Sequence, residues 1–151
     1  MDGNNKNSTI LIYDWKRNTL LTSAKAANDV YALCFSKDDQ SLYLCGKNML
    51  KFYDTKDLGT RTCIFRPKGS IQDTHCICVG DHQFAYVGVE DGSIYMFNGN
   101  TLVHAHEKAH TETVFAIFRT QNGFVSGGAD GVIKWWDKMF MLPFPMAPCN
   151  M

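Results

Sequence analysis

Several features are missing from this sequence, and each absence excludes something. No apolar run approaches the ~20 residues that a membrane-spanning helix needs, so no membrane partner is expected. Neither sign of charge is in excess: 15 Lys and Arg balance 15 Asp and Glu. The basic residues, among them Lys16-Arg17, Lys47, Lys51, Lys56 and Lys68, are scattered and form no block. Without a basic field, nucleic acid is not an expected partner either. The opening stretch MDGNNKNST is polar and lacks the apolar core of a secretory signal. No apolar periodicity of helical type runs for a useful length.

Paired CxxC spacing is also absent, although six cysteines occur: Cys34, Cys45, Cys63, Cys76, Cys78 and Cys149. A zinc site is therefore unsupported, and no other metal or cofactor is expected. A disulfide scaffold needs an oxidising context that the opening stretch does not offer. Cys34, Cys45, Cys76 and Cys78 fall inside apolar, strand-like runs. They are expected to be buried free thiols acting as small hydrophobes in a reducing, cytoplasmic compartment.

What is present is a period. TILIYD (9–14), MLKFYD (49–54), SIYMFN (93–98) and VIKWWD (132–137) each alternate β-formers and close on an aromatic followed by Asp or Asn. Those closing pairs are Tyr13-Asp14, Tyr53-Asp54, Phe97-Asn98 and Trp136-Asp137, at spacings of 40, 44 and 39 residues. VYALCF (30–35), HCICV (75–79) and VFAIF (114–118) are apolar on both alternating faces, which predicts strands buried on both sides. SLYLCG (41–46), QFAYVG (83–88) and GFVSGG (123–128) follow them, after turn-forming segments. Asp91-Gly92 and Asp130-Gly131 then mark tight hairpins. TLLTSAK (19–25), GTRTCIF (59–65) and TLVHAHE (101–107) supply a fourth strand per unit.

A period of this length with four short strands is the signature of a WD40 β-propeller blade. One blade cannot bury both its faces, so neighbours must cover them. The expected fold is all-β: a partial, unclosed propeller of about three and a half antiparallel blades over 9–138, short of the four to eight that close a ring. Residues 1–8 are expected to be disordered and 139–151 to form an irregular tail. The remaining blades must come from a longer parent chain or from another chain. The tail KMFMLPFPMAPCNM carries three prolines, which cannot donate to a strand ladder, so it is not expected to complete the last blade. Docking of this apolar tail on an open blade face is the alternative.

His110, Ser126, Asp130 and Trp136 fall just before the first strand, on the second, in the turn and on the third strand of the last unit. That placement resembles the structural tetrad of WD40 repeats, in which four side chains hydrogen-bond in series. The competing reading is a Ser-His-Asp hydrolase, but FVSGG is not the GxSxG elbow and no helix follows the serine. No catalytic residue is therefore assigned. The tetrad does not recur: Val87 stands at the Ser126 position, Ala26 and Ile71 near the His110 position, and only Asp91 repeats Asp130. HAHEKAH places His104 and His106 on one strand face ahead of His110, a compositional hint of metal binding. An exposed outer strand accounts for the first two histidines.

The stretch from Gly92 to Phe140 carries the G-x-I-Y strand, an N-x-L step, K-A-H, V-F-A, G-F-V-S-G-G and the D-G-x-I-x-x-W-D close. In these motifs it resembles the propeller region of echinoderm microtubule-associated protein-like (EMAP-like) proteins. The resemblance implies a non-enzymatic, cytoskeletal scaffold that binds tubulin or microtubules. The coiled coil, basic stretch and hydrophobic motif that accompany that region in the family have no counterpart here. The other expectation is a WD40 adaptor of a multiprotein complex, such as a ubiquitin-ligase receptor or a ciliary or trafficking scaffold.

Overall fold

The structure, a computed structural model, describes residues 8–56, 59–66, 68–137 and 143–144. Its secondary structure is strand throughout, apart from one short 3-10 turn over Asp81–Gln83. The strands fall into four antiparallel sheets taken in chain order. The first is a hairpin of β1 (Thr9–Asp14) and β2 (Thr19–Lys25). The second runs β3 (Val30–Phe35), β4 (Ser41–Gly46), β5 (Met49–Asp54) and β6 (Thr60–Thr62). The third runs β7 (Thr74–Val79), β8 (Phe84–Val89), β9 (Ile94–Asn98) and β10 (Thr101–His106). The fourth runs β11 (Val114–Thr120), β12 (Gly123–Gly128), β13 (Ile133–Asp137) and β14 (Pro143–Phe144). Each sheet is a meander in sequence order, which is the blade expected from the period.

Three apolar cores lie between neighbouring sheets, not within any one of them. Ile10, Ile12 and Ala24 of the first hairpin meet Leu42, Leu44 and Tyr53 of the second sheet. The opposite face of the second sheet, with Tyr43, Cys45 and Leu50, meets Ile77, Val87 and Phe97 of the third. Cys76, Cys78, Tyr86 and Ile94, on the other face of the third sheet, meet Val114, Phe124 and Trp136. Period-2 alternation sends successive side chains to opposite faces, so one strand feeds two cores. A fully buried Leu or Phe such as Leu44 or Phe97 contributes about 1.5–3 kcal/mol. The blades are thus held mainly by what they bury against each other.

The strand-end pairs show the same logic. Tyr53, Phe97 and Trp136 are buried against the preceding blade. Tyr13 occupies the equivalent place on β1 but is 55% exposed, because no described blade precedes it. The acidic partners close turns: the Asp14 carboxylate accepts from the Lys16 and Arg17 amides (3.0 and 3.1 Å), and that of Asp54 from Lys56 (2.9 Å). These are side-chain turns of the kind Asp favours. Asn98 ends β9 opposite Thr101, and Asp137 ends β13 opposite Gly123.

The structure departs from the sequence expectations in several places. Burial on both faces holds for β7, but β3 and β11 are half exposed. On β3, Leu33 and Phe35 project where the first sheet, having only two strands, offers no inner strand to cover them. On β11, Phe118 projects from the face turned away from the third sheet and is 71% exposed. The fourth strand of the second sheet is shorter than 59–65. Ile64 leaves it to bridge Thr101 of the next blade, its amide donating to the Asn100 carbonyl at 2.8 Å. The tail does complete the last blade: Pro143 pairs with Trp136, and Phe144 with Trp135. Proline is admitted there because an outermost strand has one side with no ladder to donate to. Ser8, placed in the disordered start, already belongs to the first hairpin, its carbonyl accepting from the Ala26 amide at 2.8 Å. Residues 1–7, 138–142 and 145–151 lie outside the described residues.

Candidate functional site: a buried polar brace and an aromatic rim

The last blade brings His110, Ser126, Asp130 and Trp136 together. Trp136 Nε1–H donates to Ser126 Oγ at 2.8 Å. Ser126 Oγ lies 2.8 Å from His110 Nε2, and His110 Nδ1 lies 3.1 Å from each oxygen of Asp130. An indole can only donate and a carboxylate only accept. The donors therefore run Trp to Ser to His to Asp, with the proton of the imidazole on Nδ1. Asp130 also accepts from the amides of Thr111 and Val132, both at 3.0 Å. Burial pushes the Asp130 carboxyl up, but those two amides and the His110 ring together hold it below the usual carboxylate range. No buried side-chain polar atom among the described residues lacks a partner.

The backbone makes room for this network at two glycines. A Cβ at Gly128 would stand 2.7 Å from both His110 Nδ1 and Asp130 Oδ1. Gly92, at φ +87°, lets its carbonyl accept the His110 amide at 2.8 Å, while a Cβ there would stand 2.2 Å from the His110 carbonyl oxygen. The order Ser-His-Asp is that of a hydrolase relay, but Ser126 is only 1% exposed and its oxygen accepts the indole proton. A carbonyl substrate has no approach to that oxygen. What the arrangement does is tie the lead-in to β11, the strands β12 and β13 and the turn between them into one rigid unit.

The other blades replace this brace. Val87 and Phe97 occupy the Ser126 and Trp136 positions in the third sheet, and Leu44 and Tyr53 in the second. Ala26 aligns with His110 as expected, but in the third sheet the register places Ser70 there instead of Ile71. Asp91, aligned with Asp130, accepts from the Ser93 amide of its own turn at 2.9 Å, and its amide donates to Gln72 Oε1 at 2.9 Å. Between these two blades the buried polar link is Thr74, whose hydroxyl bonds the amide of Gly46 at 2.9 Å and the carbonyl of Met49, while the Asn48 amide donates to the Asp73 carboxylate at 2.9 Å.

The four buried cysteines among the described residues offer no reactive centre. Burial pushes the thiols of Cys45, Cys63, Cys76 and Cys78 up to about 12, so a nucleophilic or metal-binding thiolate is disfavoured at each. No group of three or more His, Cys, Asp or Glu side chains converges as a metal site among the described residues. His104 is exposed on outermost β10, while His106 lies edge-on to Trp136 with ring centroids 4.9 Å apart. His110 is engaged in the brace.

The sequence reading missed an aromatic arc. In each four-stranded blade the innermost strand carries one extra residue where the pairing register slips: Tyr31, His75 and Phe115. Such bulges re-aim a side chain and end regular pairing. Tyr31 stacks on His75 at 5.3 Å and 12°, and Phe115 meets the other side of His75 at 5.3 Å and 78°. The Tyr31 hydroxyl lies 3.4 Å from Asp73 Oδ2. Partial burial, then the carboxylates of Asp73, Asp29 and Glu90, push that phenol above its ordinary value. The available signal was the aligned second position of VYA, THC and VFA.

Charge is unevenly placed around this arc. The lead-ins and turns at this end of the inner strands (26–29, 46–49, 70–73, 89–93, 109–113 and 128–132) carry Asp29, Asp73, Glu90, Asp91, Glu112 and Asp130 against Lys47 alone. Lys25 and Lys108 lie farther out, beside the ends of the outer strands. At the opposite end, Lys37 and Arg119 both pair with Asp81, at 3.5 and 2.6 Å. Zero net charge therefore conceals one acidic rim.

Comparison with known proteins agrees with this architecture. Residues 101–137 match the family model described as WD domain, G-beta repeat. The WD repeat-containing protein 3 homolog of Dictyostelium discoideum is 29% identical over 123 residues, which are 78% of this chain. The chain spans only 12% of that relative's length. A chain in a crystal structure of the mitotic checkpoint complex superposes with a TM-score of 0.75 at 18% identity, covering 91% of this chain and 43% of the other. The computationally designed Ika4 protein gives a TM-score of 0.70 at 23% identity, covering 85% of this chain and 79% of the other. The fold is that of the WD40 propellers.

Proposed function

We propose that this chain, a WD40-repeat protein, is a propeller segment of a protein-interaction scaffold. One observation carries the reading: the only Ser-His-Asp set among the described residues is shut inside a blade, while the loops at both ends of the inner strands stay open. Stacked blades hold those loops in fixed relation, which suits recognition. The outer faces of the first and last sheets expose Leu11 and Tyr13 at one side and Ile133 and Trp135 at the other. Further blades, from a longer parent chain or from another chain, would cover them.

The finer reading takes tubulin or microtubules as the partner and the cytoplasm and cytoskeleton as the location. It rests on the resemblance of residues 92–140 to EMAP-like proteins. Co-sedimentation of the chain within its full-length parent tests it: recovery with microtubules at low salt is expected, and an unchanged supernatant fraction overturns it. The acidic rim favours a second reading, an adaptor for a less acidic complex. A pull-down that recovers ligase or trafficking subunits without tubulin would decide for that reading.

A further inference from the structure

We propose that the bulge residues Tyr31, His75 and Phe115, with the carboxylates beside them, form a docking surface for a cationic segment of a partner protein, one presenting an Arg or Lys side chain to the rings. The inference rests on the scaffold reading and names the chemistry of its partner. Tyr31 is 44% exposed and Phe115 58% exposed, so two large aromatic rings face outward at the rim end of strands that also send Ala32, Cys34, Val114 and Ile117 to the cores. Each ring is fixed, because β3 and β11 flank β7 and both rings contact His75. A fixed aromatic face attracts a guanidinium or ammonium placed within about 6 Å.

Charge selects the occupant. Asp29 and Asp73 lie at the ends of the lead-ins to β3 and β7, and Glu90 opens the turn after β8, its amide bonded to the Asp73 carbonyl at 3.0 Å. Lys108 stands by Asp91 and the Lys134 ammonium is held on the Ala109 carbonyl, so within the lead-ins and turns around the three rings Lys47 is the cation that faces these carboxylates. An acidic peptide or a nucleic acid would meet like charge, and a neutral apolar segment would leave the carboxylates without counter-charge. A basic segment satisfies both the rings and the carboxylates.

The test is titration of the full chain with a synthetic peptide, acetyl-GRGKGRG-amide, followed by the ring resonances of His75, Tyr31 and Phe115. A second peptide with citrulline and acetyl-lysine at the charged positions keeps the shape and removes the charge. Saturable shifts confined to the three rings are expected with the first peptide and none with the second. Phe115→Ala and Tyr31→Ala should each weaken binding about 5-fold or more, as should Asp29→Asn combined with Glu90→Gln. Tyr31→Phe, which keeps the ring and the strand, should bind nearly as the parent does. Trp15→Ala, at an exposed aromatic elsewhere, should have no effect. No saturable binding, or binding that survives loss of both rings, overturns the proposal. If that happens while a partner is still captured by the full-length parent and by its Tyr31→Ala/Phe115→Ala form, the scaffold reading stands and this surface is wrong. If the parent captures no partner at all, the scaffold reading itself fails.

Discussion

Ser126→Ala is the most direct probe of the brace. The substitution removes one oxygen and orphans two buried groups: the Trp136 indole N–H and His110 Nε2, each 2.8 Å from that oxygen. A buried polar group left without a partner costs about 1–3 kcal/mol, so a loss of roughly 3 kcal/mol is expected. That is a large share of the 5–15 kcal/mol typical of a folded domain. With a urea dependence of about 2 kcal/mol per molar, the midpoint should fall by ~1.5 M. The assay is urea unfolding followed by far-ultraviolet circular dichroism, since Trp136 itself is to be varied. Trp136→Phe introduces the residue type that Phe97 already supplies in the neighbouring blade, and it removes the indole donor. Ser126→Ala made in that background orphans only the histidine nitrogen. The double variant should therefore lose about 1 kcal/mol less than the sum of the singles. A midpoint shift below ~0.25 M for Ser126→Ala, or strict additivity, would refute the series of donors described above.

Three further outcomes are expected. Asp130 is held below its ordinary value in the folded chain, so its contribution is present above the unfolded value near 3.9 and is lost as pH falls through the folded one. Asp130→Asn should flatten the stability–pH profile below about pH 4, and an unchanged acid limb in thermal melts would contradict this. Gly92→Ala forces a Cβ to 2.2 Å from the His110 carbonyl, whereas Gly99, also at positive φ, has open space. Calorimetry should show the first losing well over 2 kcal/mol and Gly99→Ala about 1 kcal/mol. Finally, Cys45, Cys63, Cys76 and Cys78 should resist alkylation at pH 8 until urea unfolds the chain, while partly exposed Cys34 reacts ahead of these four. Peptide mass spectrometry reads the order directly.

How much was legible in advance follows from which forces shape each element. β1, β2, β3, β4, β5 and β12 match their sequence segments end to end, because alternation and turn residues are local signals. The brace was legible because its four polar residues fall at fixed places in one unit, and burial obliges such groups to pair. β14 was not, since a two-residue edge strand containing Pro143 has no periodicity to read. Exposure of Phe35 and Phe118 was not legible either. It depends on which neighbour covers a face, and that is a tertiary fact. The slip that turns Tyr31, His75 and Phe115 outward is a matter of pairing between strands, invisible to a pattern counted along one of them.

The repeated bulge separates two kinds of change that evolution or an engineer might make. One side chain per module is lifted out of the interlocking framework and delivered to a shared edge. A swap at any of those three places would change what that edge presents while leaving the buried cores between modules in place. Specificity can then be rewritten one letter at a time, while the architecture that displays it is inherited unchanged.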